Sequence, residues 1–491
     1  MSNKSGFLHE PIGRLLAKNC GPAMVSMLVM ALYQIVDGMM VGRRLGPDAL
    51  AAVNLLYPVI AVLVGLAVMI GVGGNARIAF LLGSGKAREA RGVLSLVVVL
   101  GFGLGLLGTI GSLLFAGPLT AALGASDGVQ GLTRMYLVTI APFFTAYILS
   151  FILDQAVRND GRAGFATLIM VSGALLNIGL DYVFLFVLDM GITGAALASA
   201  SGQSFSATVF IAYFVAKAVK RSSGLRISRP TGGFRVISAI AVNGSSELLG
   251  AIALGIVTLM FNRALMDLIG PVGVAAFALV QYVLMLAAVF FNALGAGSQP
   301  VLSQNHGAGL AHRVTEAAGI VLVAGVIVGG VLAVAAHLGA ARMALMFVPD
   351  HPEAIAVTSD AIRIITWSMP LAAIGMIGSA FFTSIEKAGM SLAIAAGRGL
   401  VFPVIALAVL PAILGATGIW LALVVTEAAG AAVTAVLLRR WKSARPVAAP
   451  VTPAVLSVEH PELVRAGDRA GASLDAEFAV DVGCVPLHGI E

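Results

Sequence analysis

Asp37 and Asp181 are acids that lie inside apolar stretches long enough to cross a membrane. Asp181 follows Asn177 by four residues, so the two side chains share one helix face about one turn apart. An acid at this depth costs about 3 kcal/mol even on lenient insertion scales, and it normally faces a protein interior or a watery cavity. These residue types in this setting predict a site that binds and releases a proton or another cation.

The predicted depths of the two acids favour a single shared site. Both helices are expected to run from the inside to the outside, with Asp37 and Asp181 each about five to seven residues before the outer end, at about 1.5 Å rise per residue. Ser199 lies early in the next predicted helix and could reach the same level from the outer side. Two structural alternatives remain at this point. Asp181 could be tied to a neighbouring hydroxyl or Arg, and Asp37 could pair with Arg43 or Arg44 at the surface.

The composition is that of a membrane protein with many spans. Of 491 residues, 59% are hydrophobic and 11% are charged, whereas soluble chains carry about 25% charged residues. The 58 glycines suit helices that pack closely in lipid. The two cysteines, Cys20 and Cys484, lie at opposite ends of the chain and indicate no disulfide framework. We therefore expect an all-α polytopic membrane protein.

Twelve transmembrane helices are expected, with both termini in the cytoplasm. The predicted spans cover about residues 15–42, 52–82, 91–116, 131–158, 164–188, 193–217, 236–265, 272–304, 314–340, 357–385, 390–414 and 416–439. Twenty Lys and Arg residues then fall at inner ends and inner loops, against five on the outside. This positive-inside distribution sets the orientation and indicates a multi-pass protein of the plasma (inner) membrane.

The sequence repeats itself at a fixed offset. Gly46-Pro47 falls on Gly270-Pro271, and Gly191 falls on Gly415, each 224 residues later. Six spans per repeat give two halves of the same orientation, a known transporter plan with the substrate site between the halves. The predicted parts are an amino-terminal six-helix lobe (1–216), a basic cytoplasmic linker (217–235), a carboxy-terminal six-helix lobe (236–440) and a cytoplasmic, disordered tail (441–491).

The second half lacks a matching acid pair, because the repeat partner of Asp181 is Ile405. It has instead Glu247 in the seventh predicted span and Glu427 in the twelfth. Each glutamate could line a cavity or could pair with Arg398 or with Arg77.

Three other acids have ordinary structural explanations. Asp154 and Arg158 are four residues apart on the fourth predicted span and could form an ion pair along one helix. Asp360 and Arg363 are three residues apart near an outer helix end and could pair with each other. Glu386 lies at an inner helix end, where we expect it to be solvated.

Several short motifs resemble those of the multidrug and toxic compound extrusion (MATE) transporters. They are Val36-Asp37-Gly38 followed by Val41-Gly42-Arg43, then the stretch 157–161, then Leu176-Asn177 with Asp181. The resemblance covers about residues 10–440. It implies two six-helix lobes that form a V, alternating access, and export of amphipathic organic cations or drugs in exchange for protons or sodium.

The resemblance also implies which residues form the cation site. Asp37, Asn177 and Asp181 match the cation-binding residues of the family's amino-terminal lobe, and Ser199 takes the place of a hydroxyl residue there. Asp154 falls where the family often has Asn, and Glu247 is similar to an acid on the seventh helix of the sodium-coupled branch. The tenth predicted span has no mid-membrane Asp, which favours coupling through the amino-terminal lobe. The accessory residues are Gln34, Asp154, Glu247 and Glu427.

Other functions remain as alternatives. A lipid-linked-precursor flippase can share the two-lobe plan, but it usually needs a cationic cavity for a pyrophosphate head. A membrane-embedded enzyme would need a nucleophile, metal or cofactor constellation, and a channel would give conductive flux. We expect no enzyme activity, no cofactor and no metal other than sodium as a coupling ion. The expected partners are small amphipathic cations and membrane lipid, without nucleic acid, for a monomeric protein.

Overall fold

A computed structural model gives the fold, and it describes residues 6–123, 127–221, 224–347 and 352–443. In this part of the chain the residues form helices and no strands. The predicted tail lies outside the described residues, except that residues 441–443 continue the last helix.

Twelve helical segments follow one another along the chain. We label them α1 (Ile12–Leu45), α2 (Pro47–Gly83), α3 (Ala87–Leu114), α4 (Gly128–Asn159), α5 (Ala163–Val187), α6 (Gly191–Val219), α7 (Phe234–Leu268), α8 (Pro271–Gly307), α9 (Ala311–Phe347), α10 (Pro352–Ile365 and Ser368–Ser384), α11 (Ala388–Leu414) and α12 (Ala416–Ser443). A short helix, Ala116–Ala122, follows α3, and a 3₁₀ turn, Gly6–Leu8, precedes α1. The last five residues of α5 form a π-helical turn, as do Gly397–Val401 in α11.

The number of membrane spans depends on how α6 is counted. Ten helices among the described residues are long and apolar enough to cross a membrane, and α10, bent by 49° at its break, makes an eleventh. Helix α6 has 29 residues, more than the about 20 that a span needs. Its polar side chains, including Ser199, Gln203 and Ser206, lower its hydropathy. The twelve-helix, two-lobe plan therefore fits by length and order.

The two halves meet through the first two helices of each. Helix α1 packs against α8 and α9, and α2 packs against α7 and α8. Ile12, Leu15 and Leu16 of α1 belong to the apolar core of the second half, and Ile240 of α7 belongs to the core of the first half. The start of each half's first helix is therefore a core element of the other half.

Glycines bring the halves into backbone contact at one side of the bundle. We call this the basic side, the side at which α1 begins and α12 ends. A Cβ atom on Gly83 would lie 1.9 Å from the carbonyl oxygen of Gln304, and one on Gly307 would lie 2.0 Å from that of Phe80. Each residue of one contact has its partner 224 residues along in the other. The contact is pseudo-symmetric, as the internal repeat requires, and it closes the basic side between α2 and α8.

A segment outside the spans precedes the first helix of each half and packs on the other half. Before α1, the backbone carbonyls of Phe7 and Glu10 accept hydrogen bonds from Arg313 at 3.3 and 2.6 Å. Before α7, the linker packs on the first half, where Asp160 accepts hydrogen bonds from Lys217 and from the Leu225 N–H. Leu225 is fully buried as a result.

The Asp160 carboxylate should therefore control whether the linker stays docked. Hydrogen bonds to a charged group contribute about 1.5–3 kcal/mol each, so we expect Asp160→Ala to raise the rate of tryptic cleavage within the linker roughly tenfold or more. The measurement is the appearance of half-length fragments from the purified protein.

Asp360→Ala is the matched control, because it removes an exposed ion pair with Arg363 whose atoms are 3.6 Å apart. Exposed pairs of this kind contribute about 0–1 kcal/mol. Equal linker cleavage in the two variants would contradict the role given to Asp160.

Candidate cation-binding site

Helices α1 and α5 pack together and bring Asp37 and Asp181 to one place. The two carboxyl groups are close enough to interact directly. Asp181 has no exposed surface, and Asn177, one turn earlier on α5, is 2% exposed. The shared depth predicted from the sequence therefore corresponds to a real meeting of the three side chains in the half of the bundle away from the basic side.

Five polar atoms of this group are buried and have no hydrogen-bond partner. They are both oxygens of Asp181, Oδ1 of Asp37 and both amide atoms of Asn177. Buried polar groups are nearly always paired, and each unpaired one costs about 1–3 kcal/mol. Two carboxylates can only accept, so neither can satisfy the other until a proton or a cation is added. The chemistry of these atoms fits a site that takes up a positive charge.

The surface alternative proposed for Asp37 does not hold for Arg44. The Arg44 guanidinium pairs with Asp189 at 2.9 Å, and its Nε donates to the Leu185 carbonyl oxygen at 3.1 Å. Arg44 thus ties the end of α1 to the end of α5, outside the acid pair.

Hydroxyl and amide side chains surround the two acids. The Tyr33 hydroxyl interacts with both acids and with Gln203, and the Tyr136 hydroxyl interacts with Asp37 and Ser199. Two small cavities lie side by side here, and both are lined by Tyr33, Ser199 and Gln203. Ser199 therefore reaches the site, as predicted. These cavities give a polar approach to the acids within the first half.

Sequence reasoning missed Tyr33, Tyr136 and Gln203. Tyr33 lies four residues before Asp37, and Gln203 lies four residues after Ser199. That spacing places each on the same helix face as a predicted site residue and could have found both. Tyr136 lies on α4 and has no such signal in the sequence. Gln34 was predicted as an accessory residue, and it is exposed on α1 beside Tyr33.

Asp154 does not join the acid pair. It forms the predicted ion pair with Arg158, with Oδ2 3.0 Å from Nε and Oδ1 3.1 Å from Nη2. It lies near the basic-side end of α4, whereas Asp181 lies near the opposite end of α5. At about 1.5 Å per residue the two acids differ in depth by roughly 20 Å. The Arg158 guanidinium also donates to Ser26 of α1, so this pair holds α4 against α1.

The second half contains one arginine flanked by two acids. Arg398 donates from Nε to Oε2 of Glu427 at 2.6 Å, which confirms one of the pairings considered. Glu247 on α7 feels the charge of the same Arg398, and no hydrogen bond of its carboxylate is observed in the described part of the chain. The charge of Glu427 is thus compensated within its own half, and that of Glu247 only in part.

The expectation that Glu386 is solvated is wrong. Its carboxylate pairs with Arg77 at 3.0 Å, and its side chain is only 25% exposed. Burial raises the pKa of the Glu386 carboxyl above its ordinary value, and the charge of Arg77 opposes that rise. Glu386 lies in the turn between α10 and α11, and Arg77 lies on α2. The ion pair therefore joins the two halves at the basic side. The predicted Asp360–Arg363 pair is confirmed.

Comparison with known proteins decides the family. The MatE family model matches residues 22–183 and again residues 248–410, which together are most of both halves. This chain belongs to the MATE family of transporters. The two matches also agree with the internal repeat, and the resemblance noted in the sequence motifs is confirmed.

Similar proteins include transporters of the same plan. The multidrug export protein MepA of Staphylococcus aureus is 27% identical over 426 residues, which cover 86% of this MATE chain and 92% of MepA. A MOP superfamily transporter from Pyrococcus furiosus superposes with a TM-score of 0.83 at 25% identity, covering 90% of this chain and 99% of that one. A structure of MATE in complex with MaL6 gives the same score, identity and coverage. The predicted all-α, multi-pass fold is confirmed.

Proposed function

We propose that this MATE-family chain is a secondary active antiporter that exports amphipathic organic cations or drugs in exchange for protons or sodium. The observation that carries the proposal is the buried pair of Asp37 and Asp181, whose oxygens lack partners until a positive charge arrives. The name of the relative MepA, a multidrug export protein, supports drugs as the substrate class.

The geometry suggests how ion binding is coupled to movement. While both acids are charged they repel each other, and a bound cation lets α1 and α5 approach. Helix α1 carries Asp37 near one end and the residues Ile12, Leu15 and Leu16 in the core of the second half near the other. A shift of α1 relative to α5 is therefore felt at the contact between the halves. The same helix links the cation site to opening and closing of the basic side.

The coupling ion differs in what it demands of the site. A proton needs only one of the two carboxylates. Sodium needs several oxygen ligands, and those available here are the carboxylate oxygens, the Asn177 amide oxygen and the Ser199 hydroxyl. Both ions fit this donor set, and neither requires a further cofactor or any covalent chemistry.

Flux in liposomes tests the proposal. The full-length protein is reconstituted, and efflux of a fluorescent cationic drug is measured under a pH gradient and, separately, under a sodium gradient. We expect saturable drug movement against its own gradient with one or both ions. Conductive flux would indicate a channel, and movement of a lipid-linked pyrophosphate without an ion gradient would indicate the flippase alternative.

The proposed orientation places both termini in the cytoplasm of a cell with the protein in its plasma (inner) membrane as a monomer. Ser126 and Ser223, which the sequence places in an outer and an inner loop, lie outside the described residues. Asp267 and Lys220 are exposed at the corresponding helix ends. The count of twenty basic residues against five supports the basic side as the cytoplasmic one.

Cysteine labelling of whole cells checks this topology. In a protein whose own two cysteines are replaced, we expect an impermeant maleimide to label Asp267→Cys from outside and to label Lys220→Cys only after the cells are opened. External labelling of Lys220→Cys with protection of Asp267→Cys would reverse the orientation.

A further inference from the structure

Two arginines face each other where the linker crosses the start of α3. Arg91 lies just over one turn into α3, and Arg226 lies on the linker. Their guanidinium groups are close enough for the two charges to repel. The Arg91 Nε donates to the Gly224 carbonyl oxygen at 3.1 Å, so its side chain is directed along the linker towards Arg226. A pair of like charges held in contact needs a negative partner.

Arg226 carries a buried nitrogen that nothing in the protein satisfies. Its Nη1 atom has almost no contact with solvent and no hydrogen-bond acceptor among the described residues. A guanidinium nitrogen in this state carries positive charge and a directed N–H donor, and both are costly to bury alone. The atom therefore points to an acceptor that the chain does not itself provide.

The acids near this place are already engaged. Asp160 accepts hydrogen bonds from Lys217 and from the Leu225 N–H, on the other side of the linker. Glu89, on α3, pairs with Lys86 at 3.6 Å. Neither is recorded in contact with Arg226. Within the described ranges the charge of the two arginines is thus left without a nearby carboxylate.

The linker is held firmly enough to make this a preformed site. Leu225 is fully buried beside Arg226. Further along, the Ser228 N–H donates to the Ser95 hydroxyl at 2.9 Å, and the Thr231 N–H donates to the Gly92 carbonyl oxygen at 3.2 Å. The backbone on both sides of Arg226 is therefore fixed to α3, and the guanidinium needs little ordering before it binds a ligand.

The surroundings indicate the chemical class of the ligand. Residues 217–235 include six Lys and Arg residues and no acid. Lys220, Arg221, Arg229 and Arg235 are exposed around the arginine pair. The position is at the membrane–water boundary of the basic side, where α3 enters the bilayer. Arginine forks match the oxygens of a phosphate, and basic segments next to membrane spans attract anionic lipid head groups.

We infer that Arg91 and Arg226 form a binding site for a phosphate group at the basic-side end of α3. The phosphate can belong to an anionic phospholipid such as phosphatidylglycerol or can be free in solution. The site is separate from the cation site, and its occupant would fasten the linker to the first half. It goes beyond the proposed transport function, because it makes the protein respond to the phosphate groups around it.

The test measures the thermal unfolding midpoint of the full-length protein in a zwitterionic detergent. Phosphatidylglycerol, phosphatidylcholine, inorganic phosphate and sodium chloride of equal ionic strength are titrated separately. We expect phosphatidylglycerol or inorganic phosphate to raise the midpoint at concentrations where phosphatidylcholine and sodium chloride do not. Arg226→Gln should weaken the apparent affinity roughly tenfold, because it removes a charge-assisted contact. Arg229→Gln has the same change of charge at an exposed position of the same linker, and it should keep wild-type affinity.

The outcomes separate the possibilities. A shift with phosphatidylglycerol alone assigns the site to a lipid head group, and an equal shift with inorganic phosphate assigns it to free phosphate. Equal loss in Arg226→Gln and Arg229→Gln would show only a general attraction to a basic surface, and it would overturn the site. If Arg226→Gln does not fold, Arg226→Lys and Arg229→Lys form the same comparison with charge retained, and equal affinities in those two would also overturn it.

Discussion

Asp37→Asn and Asp181→Asn should each abolish gradient-driven export while leaving membrane insertion intact. Asn has nearly the same shape as Asp and keeps much of its hydrogen bonding, but it cannot exchange a proton and holds sodium less well. Because the coupling between ion and substrate would be lost, we expect uphill drug flux to fall roughly 5- to 150-fold, the usual range of coupling between two sites. Export from reconstituted liposomes under an imposed gradient measures the change.

Drug binding provides a check that the variants are intact. The acid pair lies within the first half, whereas the proposed drug cavity lies between the halves, so drug binding without a gradient should survive. Asp154→Asn should have a milder effect on export, because Asp154 lies far from the acid pair and is engaged with Arg158.

Glu247→Gln tests the competing site in the second half. Glu247 is the acid there whose charge Arg398 compensates only in part. If Glu247→Gln stops export while Asp37→Asn and Asp181→Asn retain near-normal uphill flux, coupling runs through the second half and the proposed site is wrong.

Gly83→Ala should prevent the basic side from closing. The added Cβ would lie 1.9 Å from the carbonyl oxygen of Gln304, which is backbone and cannot rotate away. Overpacking of this kind costs about 1–3 kcal/mol, so we expect the closed arrangement to become roughly 5- to 150-fold less populated relative to the open one. Maleimide labelling of a cysteine placed at Phe80, where α2 meets α8, should become correspondingly faster, and export should fall.

Gly164→Ala provides the matched control, because a Cβ at that helical position meets nothing within 4 Å. Gly307→Ala should reproduce the effect of Gly83→Ala, since the two glycines make equivalent contacts in the two halves. Normal export and unchanged labelling in both Gly83→Ala and Gly307→Ala would show that closure does not depend on this contact.

The sequence predicted those features that depend on depth and on period. Apolar length located the spans, and equal distance from the helix ends placed Asp37, Asn177 and Asp181 together. The glycines that match at 224 residues include Gly83 and Gly307, which proved to be the closest contact between the halves. Such features follow from one helix at a time, or from the repeat.

What the sequence could not predict depends on which helices become neighbours. Arg77 and Glu386 are 309 residues apart, and their pairing follows from how the two halves pack. The choice of Arg398 by Glu427 likewise depends on the adjacency of α11 and α12. Tyr136 reaches the acids from α4, and an uncharged Tyr in an apolar helix gives no signal of its own. The crossing of the linker over α3, which brings Arg226 to Arg91, also had no sequence counterpart.

The exchange of starting segments between the halves has a consequence for how the protein is made. Ile12, Leu15 and Leu16 are among the first residues to leave the ribosome, yet their packing partners lie in α8 and α9. Until those helices have been inserted, the start of α1 has no native neighbours there and must wait in the lipid or beside an insertion factor. The first half can therefore acquire its spans during synthesis, but it cannot complete its own packing before much of the second half has been translated.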